Sequence, residues 1–278
     1  MTKSALYIVA TPIGNLQDFS LRGQLILREV DLIAAEDTQH SRRLLNYFGI
    51  TTPLQSLHEH NEKQISPQLL KRLRHGESIA LISDAGTPTI SDPGHQLVQA
   101  VHAEHFPVVA IPGPCALISA LSVSGFSTDH FIFEGFLPAK TSARRHRLQE
   151  LAEESRTLAF YEAPHRLMES LSDMVDIFGA ERMAVLAKEL TKIFETVYRE
   201  TLTKIIEWLN DRPERQQGEF VLVIQGAAIQ PKVVDAEVAR IFHQLRTELP
   251  LNQAARLTSK LTGVSKNTLY QLGLESEE

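Results

Sequence analysis

Residues 78–88 read Ser-Ile-Ala-Leu-Ile-Ser-Asp-Ala-Gly-Thr-Pro, a short apolar run followed at once by a turn carrying glycine and proline. An apolar stretch of this length, bounded by turn residues, has the pattern of a strand covered on both faces. The arrangement recurs three times. Leu6 to Ala10 leads into Thr11-Pro12-Ile13-Gly14-Asn15, Val108 to Ile111 into Pro112-Gly113-Pro114-Cys115, and Thr157 to Tyr161 into Glu162-Ala163-Pro164-His165-Arg166. In open α/β sheets ligands sit beyond the carboxyl ends of strands, where such loops converge. Glycine lets the backbone approach a ligand closely, and proline fixes the loop or the first turn of the next helix. Ordinary turn chemistry explains any one of these loops; four at successive strand ends point to a site.

Around these runs the chain alternates in the manner of an α/β protein with mostly parallel strands. A further strand is predicted at Asp31 to Ala35, with helices at Leu21 to Val30, Ser41 to Phe48, Ser66 to His75 and Pro93 to Glu104. These form an N-terminal lobe over 1–115. A second lobe over 116–226 is predicted to hold a helix through Leu121, a strand at Phe131 to Glu134 and a helix after Thr141. Beyond Thr157 to Tyr161 it adds a helix from Pro164 to Phe178, a strand at Met183 to Ala187, a helix at Thr203 to Leu209 and a strand at Phe220 to Ile224. Residues 227–236, AAIQPKVVDA, read as a linker, and 235–278 as a small helical appendage. Within it, Leu251 to Tyr270 has helix-turn-helix spacing, with Gly263 at the turn and Ser265 capping the second helix.

The 278 residues, 43% hydrophobic, suffice for a core without disulfides. Cys115 is the single cysteine, which excludes an intramolecular disulfide and a cysteine-rich zinc site. No metal-ligand set is apparent, nor any signal peptide or membrane span, so a cytoplasmic protein is expected. The net charge of −6 means that any contact with a polyanion must use a local basic patch. Neither GxxxxGK[ST] nor a GxGxxG after the first strand is present, and no GxSxG elbow, which disfavours an ATPase, a dehydrogenase and a hydrolase.

The segments LYIVATPIGNLQDFSLR (6–22), AAEDTQHSRRLL (34–45), HEHNE (58–62), LISDAGTPTISDPG (81–94), IPGPCALISAL (111–121), FYEAPHR (160–166) and KELTKIFE (188–195) together resemble the ribosomal RNA small-subunit methyltransferase I family. That family lies within the tetrapyrrole (corrin/porphyrin) methylases. The resemblance implies a two-lobed α/β fold, a homodimer, S-adenosyl-L-methionine in the interlobe cleft, and methylation of a cytidine 2′-hydroxyl in small-subunit (16S) ribosomal RNA, naked or in the assembled subunit. It places the cofactor on Pro12, Ser83, Asp84, Thr87, Cys115, Ala116, Glu162 and Leu190, with Gly86 giving close backbone approach. Ala85 stands where small-molecule methylases have the Pro of a Gly-Asp-Pro motif, which matches the RNA-modifying branch.

Methyl transfer to a hydroxyl requires alignment and loss of one proton. Candidates for the base are His58, Glu59 and His60, Asp37, and Glu189. If 57–61 is extended, His58 and His60 share one face and Glu59 takes the other; a solvated loop is the plainer reading. Asp37 equally suits a helix cap ahead of Arg42 and Arg43, which are candidates to orient RNA. Glu189 suits a surface ion pair as well as the cleft. Lys140, Arg144, Arg145 and Arg147 form the densest basic run and are expected to meet RNA phosphates, with His165 and Arg166 extending that surface. Lys260 and Lys266 leave nucleic-acid contact by the appendage open. Two other readings remain: a methylase acting on a tetrapyrrole-like small molecule, and a ligand-sensing nucleic-acid-binding regulator. The basic run and Ala85 count against the first, the overall acidity against the second.

Overall fold

The computed structural model describes residues 4–228 and 234–275. The chain divides into a compact unit ending at Ala227 and a second unit beginning at Ala228.

The first unit opens with five βα alternations. β1 (Leu6–Val9), β2 (Leu32–Ala35), β3 (Leu54–Ser56), β4 (Ile79–Ile82) and β5 (Val108–Ile111) form one parallel sheet in the order β3-β2-β4-β1-β5. Between them run α1 (Leu21–Glu29), α2 (Thr38–Tyr47), α3 (Glu62–Arg74) and α4 (His95–Ala103). Strand side chains alternate between two cores. Tyr7, Val9, Ile33, Ala80 and Ile82 pack with Ile26, Leu27 and Leu45, whereas Leu6, Leu32, Ala34, Ile79 and Leu81 pack with Leu69, Leu73, Leu97 and Val101. Two-sided burial is what the unbroken apolar runs encode. Because β1 lies between β4 and β5, the loops leaving these three strands open side by side at one sheet edge. Helix ends inside this layer are tied down by side chains: Glu62, 4% exposed, accepts from the Leu97 amide at 3.0 Å in the first turn of α4.

The rest of the unit comprises α5 (Ala116–Ser124), β6 (Phe131–Phe136), α6 (Thr141–Glu150), β7 (Thr157–Glu162), α7 (Leu167–Phe178), β8 (Met183–Lys188), β9 (Thr196–Thr201), α8 (Leu202–Asp211) and β10 (Phe220–Ile224). The second sheet has the order β6-β7-β10-β8-β9, and here the expectation of mostly parallel strands fails. Only β6 and β7 run parallel, while β7–β10, β10–β8 and β8–β9 are antiparallel. α5 covers one face through Leu117, Ala120 and Leu121, and α6 to α8 cover the other through Leu148, Leu171, Met174 and Ile205. An antiparallel sheet sandwiched in this way needs apolar residues on both faces, so the apolar runs report the covering helices and not the strand direction. β9 has no counterpart among the expected strands; it is an edge strand that pairs with β8 alone, and its half-exposed, polar sequence carries no buried run.

The second unit is a three-helix module: α9 (Ala236–Glu248), α10 (Leu251–Thr262) and α11 (Lys266–Glu275). Val238, Phe242, Ala254, Ala255, Val264 and Leu269 form its core. Gly263 adopts φ 77° and closes α10, and the Ser265 hydroxyl accepts from the Thr268 amide at 3.1 Å, giving the helix-turn-helix that the spacing anticipates. Of the expected linker, residues 229–233, including Gln230 and Pro231, lie outside the described residues.

Candidate active site

The strand-end loops of the first sheet are bonded to one another. Thr11 and Gly86 exchange two backbone hydrogen bonds of 2.9 and 3.0 Å, and the Thr11 hydroxyl donates to the Ser83 carbonyl at 3.1 Å. The Thr87 hydroxyl donates to the Pro114 carbonyl at 3.0 Å, which links the β4 and β5 loops. Gly86 sits at φ 83°, and a Cβ there would lie 3.3 Å from Ile13 Cγ2. Between these loops and the ends of β7 and β10 lies a cavity of about 420 Å³.

Seven of the nine residues expected to meet a cofactor line that cavity: Asp84, Gly86, Thr87, Cys115, Ala116, Glu162 and Leu190. Pro12 lines a neighbouring depression instead. Ser83 is buried behind the loop, with its hydroxyl directed to the Ala85 and Gly86 carbonyls. Glu162 is 3% exposed and its carboxylate serves the loop that follows it, accepting from the Ser170 hydroxyl at 2.6 Å and the Ala163 amide at 2.9 Å. Arg166 reinforces the same loop, with Nη2 3.3 Å from Glu162 and its guanidinium over the Phe136 ring.

Sequence reading misses the carboxylate wall. Glu36 and Asp92 line the cavity together with Asp84. Burial pushes the Asp92 carboxyl up to about 6, reinforced by the charge of Asp84 and opposed by a hydrogen bond from Ser83. Burial raises Glu36 too, followed by the charges of Asp92 and Asp84. The loop carrying Asp92 holds Thr89 and Ser91 at φ 71° and 65°, a conformation that costs energy and concentrates at functional sites. The signal in the sequence is the doubled Ser-Asp in SDAGTPTISDPG, which places a second acid eight residues after Asp84.

None of the five base candidates Asp37, His58, Glu59, His60 and Glu189 is among the residues lining this cavity. Asp37 caps α2, accepting from the Gln39 and His40 amides at 2.7 and 3.1 Å, and those bonds hold its carboxyl below the usual range. Its own amide donates to Asp84 Oδ1 at 3.1 Å, so it positions that carboxylate. Residues 58–61 form a turn into α3 in place of an extended strand: the His58 carbonyl accepts from the Asn61 and Glu62 amides, and the His58 and His60 rings meet 6.0 Å apart. For Glu189, burial acts upward, but hydrogen bonds from Lys192 Nζ at 2.8 Å and the Glu219 amide at 2.9 Å outweigh it and its pKa is lowered.

The basic run of α6 is answered by carboxylates, and one of its members is buried. Arg144 is 1% exposed, with Nε 2.7 Å from Asp173 and Nη2 3.3 Å from Glu169. Arg145 spans Asp173 and Asp176 at 2.7 and 2.8 Å, and Arg147 holds Glu134 at 2.7 Å and Glu150. The expectation of a phosphate-binding row therefore fails for Arg144, and Arg145 and Arg147 are already neutralised by carboxylates of α7, β6 and α6. Lys140 has no ion pair among the described residues. Arg42 and Arg43, by contrast, are exposed on α2 and form no ion pair among the described residues, although the charge of Arg43 helps lower the pKa of Asp37. No helix among the described residues is long and apolar enough to cross a membrane.

Comparison with known proteins agrees with this geometry. The family of tetrapyrrole (corrin/porphyrin) methylases matches residues 5–206, and the RsmI C-terminal HTH domain matches residues 232–277. A ribosomal RNA small subunit methyltransferase I from Pseudomonas aeruginosa is 53% identical, with 100% of this chain and 99% of that protein covered. One from Escherichia coli O157:H7 is 47% identical over 99% and 96%. Among solved structures, a cobalt precorrin-4 methyltransferase superposes with a TM-score of 0.60 at 15% identity, covering 79% of this chain and 94% of that one. A diphthine synthase does so with a TM-score of 0.60 at 12% identity, over 81% and 91%. Those two likenesses speak for the fold alone. Full-length identity near one half, the two matched families and the loop-built cavity together make this chain a member of the ribosomal RNA small subunit methyltransferase I family, within the tetrapyrrole methylases.

Proposed function

We propose that this protein transfers the methyl group of S-adenosyl-L-methionine to the ribose 2′-hydroxyl of a cytidine in small-subunit ribosomal RNA. The observation that carries the reading is the carboxylate-walled cavity among strand-end loops, in a chain 53% identical over its full length to a ribosomal RNA small subunit methyltransferase I. The residues suit that cofactor. A volume of about 420 Å³ is in the range of small-molecule sites; Ile13, Leu190, Tyr161 and Val221 would give apolar walls for a purine, and Glu36, Asp84 and Asp92 would attract the positive charges of the cofactor. Bound there, S-adenosylmethionine supplies the activated methyl. The protein's share is to hold the acceptor oxygen in line and to exclude water. The three carboxylates would also ease product release, because the thioether product lacks the sulfonium charge that they attract.

Asp92 gives a prediction with a pH dependence. Its carboxyl is held above the ordinary value, so the folded protein binds that proton more tightly than the unfolded chain. Its contribution to stability therefore falls as pH rises from about 4 to 6, and the cost is fully present above that window. Asp92→Asn is expected to stabilise the ligand-free protein at pH 7 by about 1 kcal/mol, discounting for partial exposure, and to weaken cofactor binding by roughly tenfold. Binding to the parent should fall more steeply below pH 6 than binding to the variant, in which Glu36 alone of the pair keeps a raised pKa. Paired thermal melts and calorimetric titrations from pH 5 to 8 measure both; equal affinity in parent and variant across that range contradicts the assignment.

A homodimer in the cytoplasm belongs to the same reading. α5, β6 and β9 expose Ile118, Val123, Phe131 and Val197, apolar surface of the kind that association covers. Labelled cofactor incubated with small-subunit ribosomal RNA, or with assembled subunits, tests the reaction. Label at a cytidine 2′-oxygen supports it; label on a tetrapyrrole and none on RNA overturns it.

A further inference from the structure

Beside the cofactor cavity lies a groove that none of the residues discussed so far explains. One wall is α2, whose exposed face carries His40, Arg43 and Tyr47 at i, i+3 and i+7. The other is the β8–β9 loop, which presents Ile193 and Phe194 at 95% and 73% exposure opposite Tyr47 at 69%. The floor is the β1 loop, Gly14 to Gln17. Two depressions, of about 560 and 330 Å³, share Gly14, Leu16 and Tyr47, and the smaller is bounded by Asp84, which also bounds the cofactor cavity. The groove and the cavity are thus neighbours across one carboxylate.

The exposed apolar residues are held out on a constrained backbone. Glu189 and Thr191 adopt φ 51° and 67°, and Lys192 is clamped between Glu189 at 2.8 Å and Glu219 at 3.0 Å. The Thr191 amide donates to Glu195. Gly14 packs so closely on this loop that a Cβ would lie 2.4 Å from Lys192 Cγ. A strained, ion-paired loop that keeps a phenylalanine and an isoleucine in water marks a contact surface. Its cations decide the partner. Arg43 and Arg42 are the exposed guanidinium groups on α2; no ion pair engages either among the described residues, unlike those of α6, although Arg43 lies near enough to Asp37 to help lower its pKa. Exposed aromatic rings beside a cation along a groove suit single-stranded nucleic acid, where bases stack and phosphates pair.

We propose that the groove between α2 and the β8–β9 loop binds the unpaired RNA nucleotides flanking the acceptor ribose, with bases stacked on Tyr47 and Phe194 and a phosphate at Arg43. This rests on the RNA reading above and adds the surface that brings the strand to the cavity. A short nucleotide chain lying in the groove has its next residue at Asp84, at the mouth of the cofactor cavity.

The test uses the full chain with Tyr47→Ala, Phe194→Ala and both together. Binding of a fluorescent, unstructured oligoribonucleotide, methyl transfer to small-subunit ribosomal RNA, cofactor affinity and sedimentation are measured on each preparation. Removing either stacking ring should weaken RNA binding roughly 5- to 100-fold and raise KM for RNA, with cofactor affinity within twofold and sedimentation unchanged. Tyr47→Phe and Phe194→Trp should bind as the parent does. Unchanged RNA binding in the double variant overturns the proposal, and if that variant also sediments as a smaller species, the surface is a contact between copies of this chain. A parent that binds RNA through these rings without methylating it would leave the groove standing and remove the reaction; a parent that methylates RNA while the variants bind normally does the reverse.

Discussion

In a Gly86→Val variant, calorimetric titration should show no S-adenosylmethionine binding while circular dichroism still shows a folded α/β chain. Gly86 is at φ 83°, where a β-branched residue is strained, and its amide and carbonyl both pair with Thr11. Valine can relax only by giving up that pairing. The added Cβ also starts 3.3 Å from Ile13 Cγ2, and Ile13 is a cavity wall that has little freedom to retreat because it packs with Leu117, Leu121 and Leu190. Strain and contact therefore push the β1 and β4 loops apart at the floor of the cavity, and a pocket that holds its ligand by backbone approach loses it. The rest of the first sheet does not depend on residue 86, since the registers of β1 with β4 and β5 end before it. A folded variant with parental affinity would remove this loop from the cofactor site.

How far the fold can be read from the residues depends on burial. β1, β2, β4 and β5 lie within one residue of expectation because each is an apolar run with a turn residue behind it. β3, three residues with an interior glutamine, and β9, with Glu200 and Arg199 within it, carry no such run; each pairs with one neighbouring strand and sends a single side chain, Leu54 or Tyr198, to the core. The loops around the cavity are legible through glycine and proline, which report backbone conformation directly. The carboxylate wall is less so: the doubled Ser-Asp marks Asp92 as a second acid, but only the folded loop brings it to the same cavity as Asp84 and Glu36. Charged runs mislead most. The stretch from Lys140 to Arg147 reads as a basic face only while the acids that answer it, Glu134, Glu169, Asp173 and Asp176, remain out of view on β6 and α7.

That network sets the last expectation. Arg144 is 1% exposed and Asp173 6%, so Arg144→Ala leaves a buried carboxylate facing an emptied site, and removal of one partner from such a pair costs about 3–5 kcal/mol. Arg145 also reaches Asp173, at 2.7 Å, and keeps part of its charge compensated, which places the loss toward the lower end of that range. Denaturant titration should therefore show a loss of about 3 kcal/mol for Arg144→Ala. The further change Asp173→Ala should cost less in that background than in the parent, because the stranded charge is gone. RNA binding separates this role from phosphate contact. With Arg145 and Arg147 replaced by glutamine, the dependence of RNA affinity on salt should stay parental, since both guanidinium groups are already paired with carboxylates. With Arg42 and Arg43 replaced, the slope should fall by about 0.7 for each single-strand phosphate that is no longer neutralised. A flattened slope in the α6 variant, together with an Arg144→Ala protein as stable as the parent, would return the basic run to the RNA-binding surface and leave α7 without its charged partner.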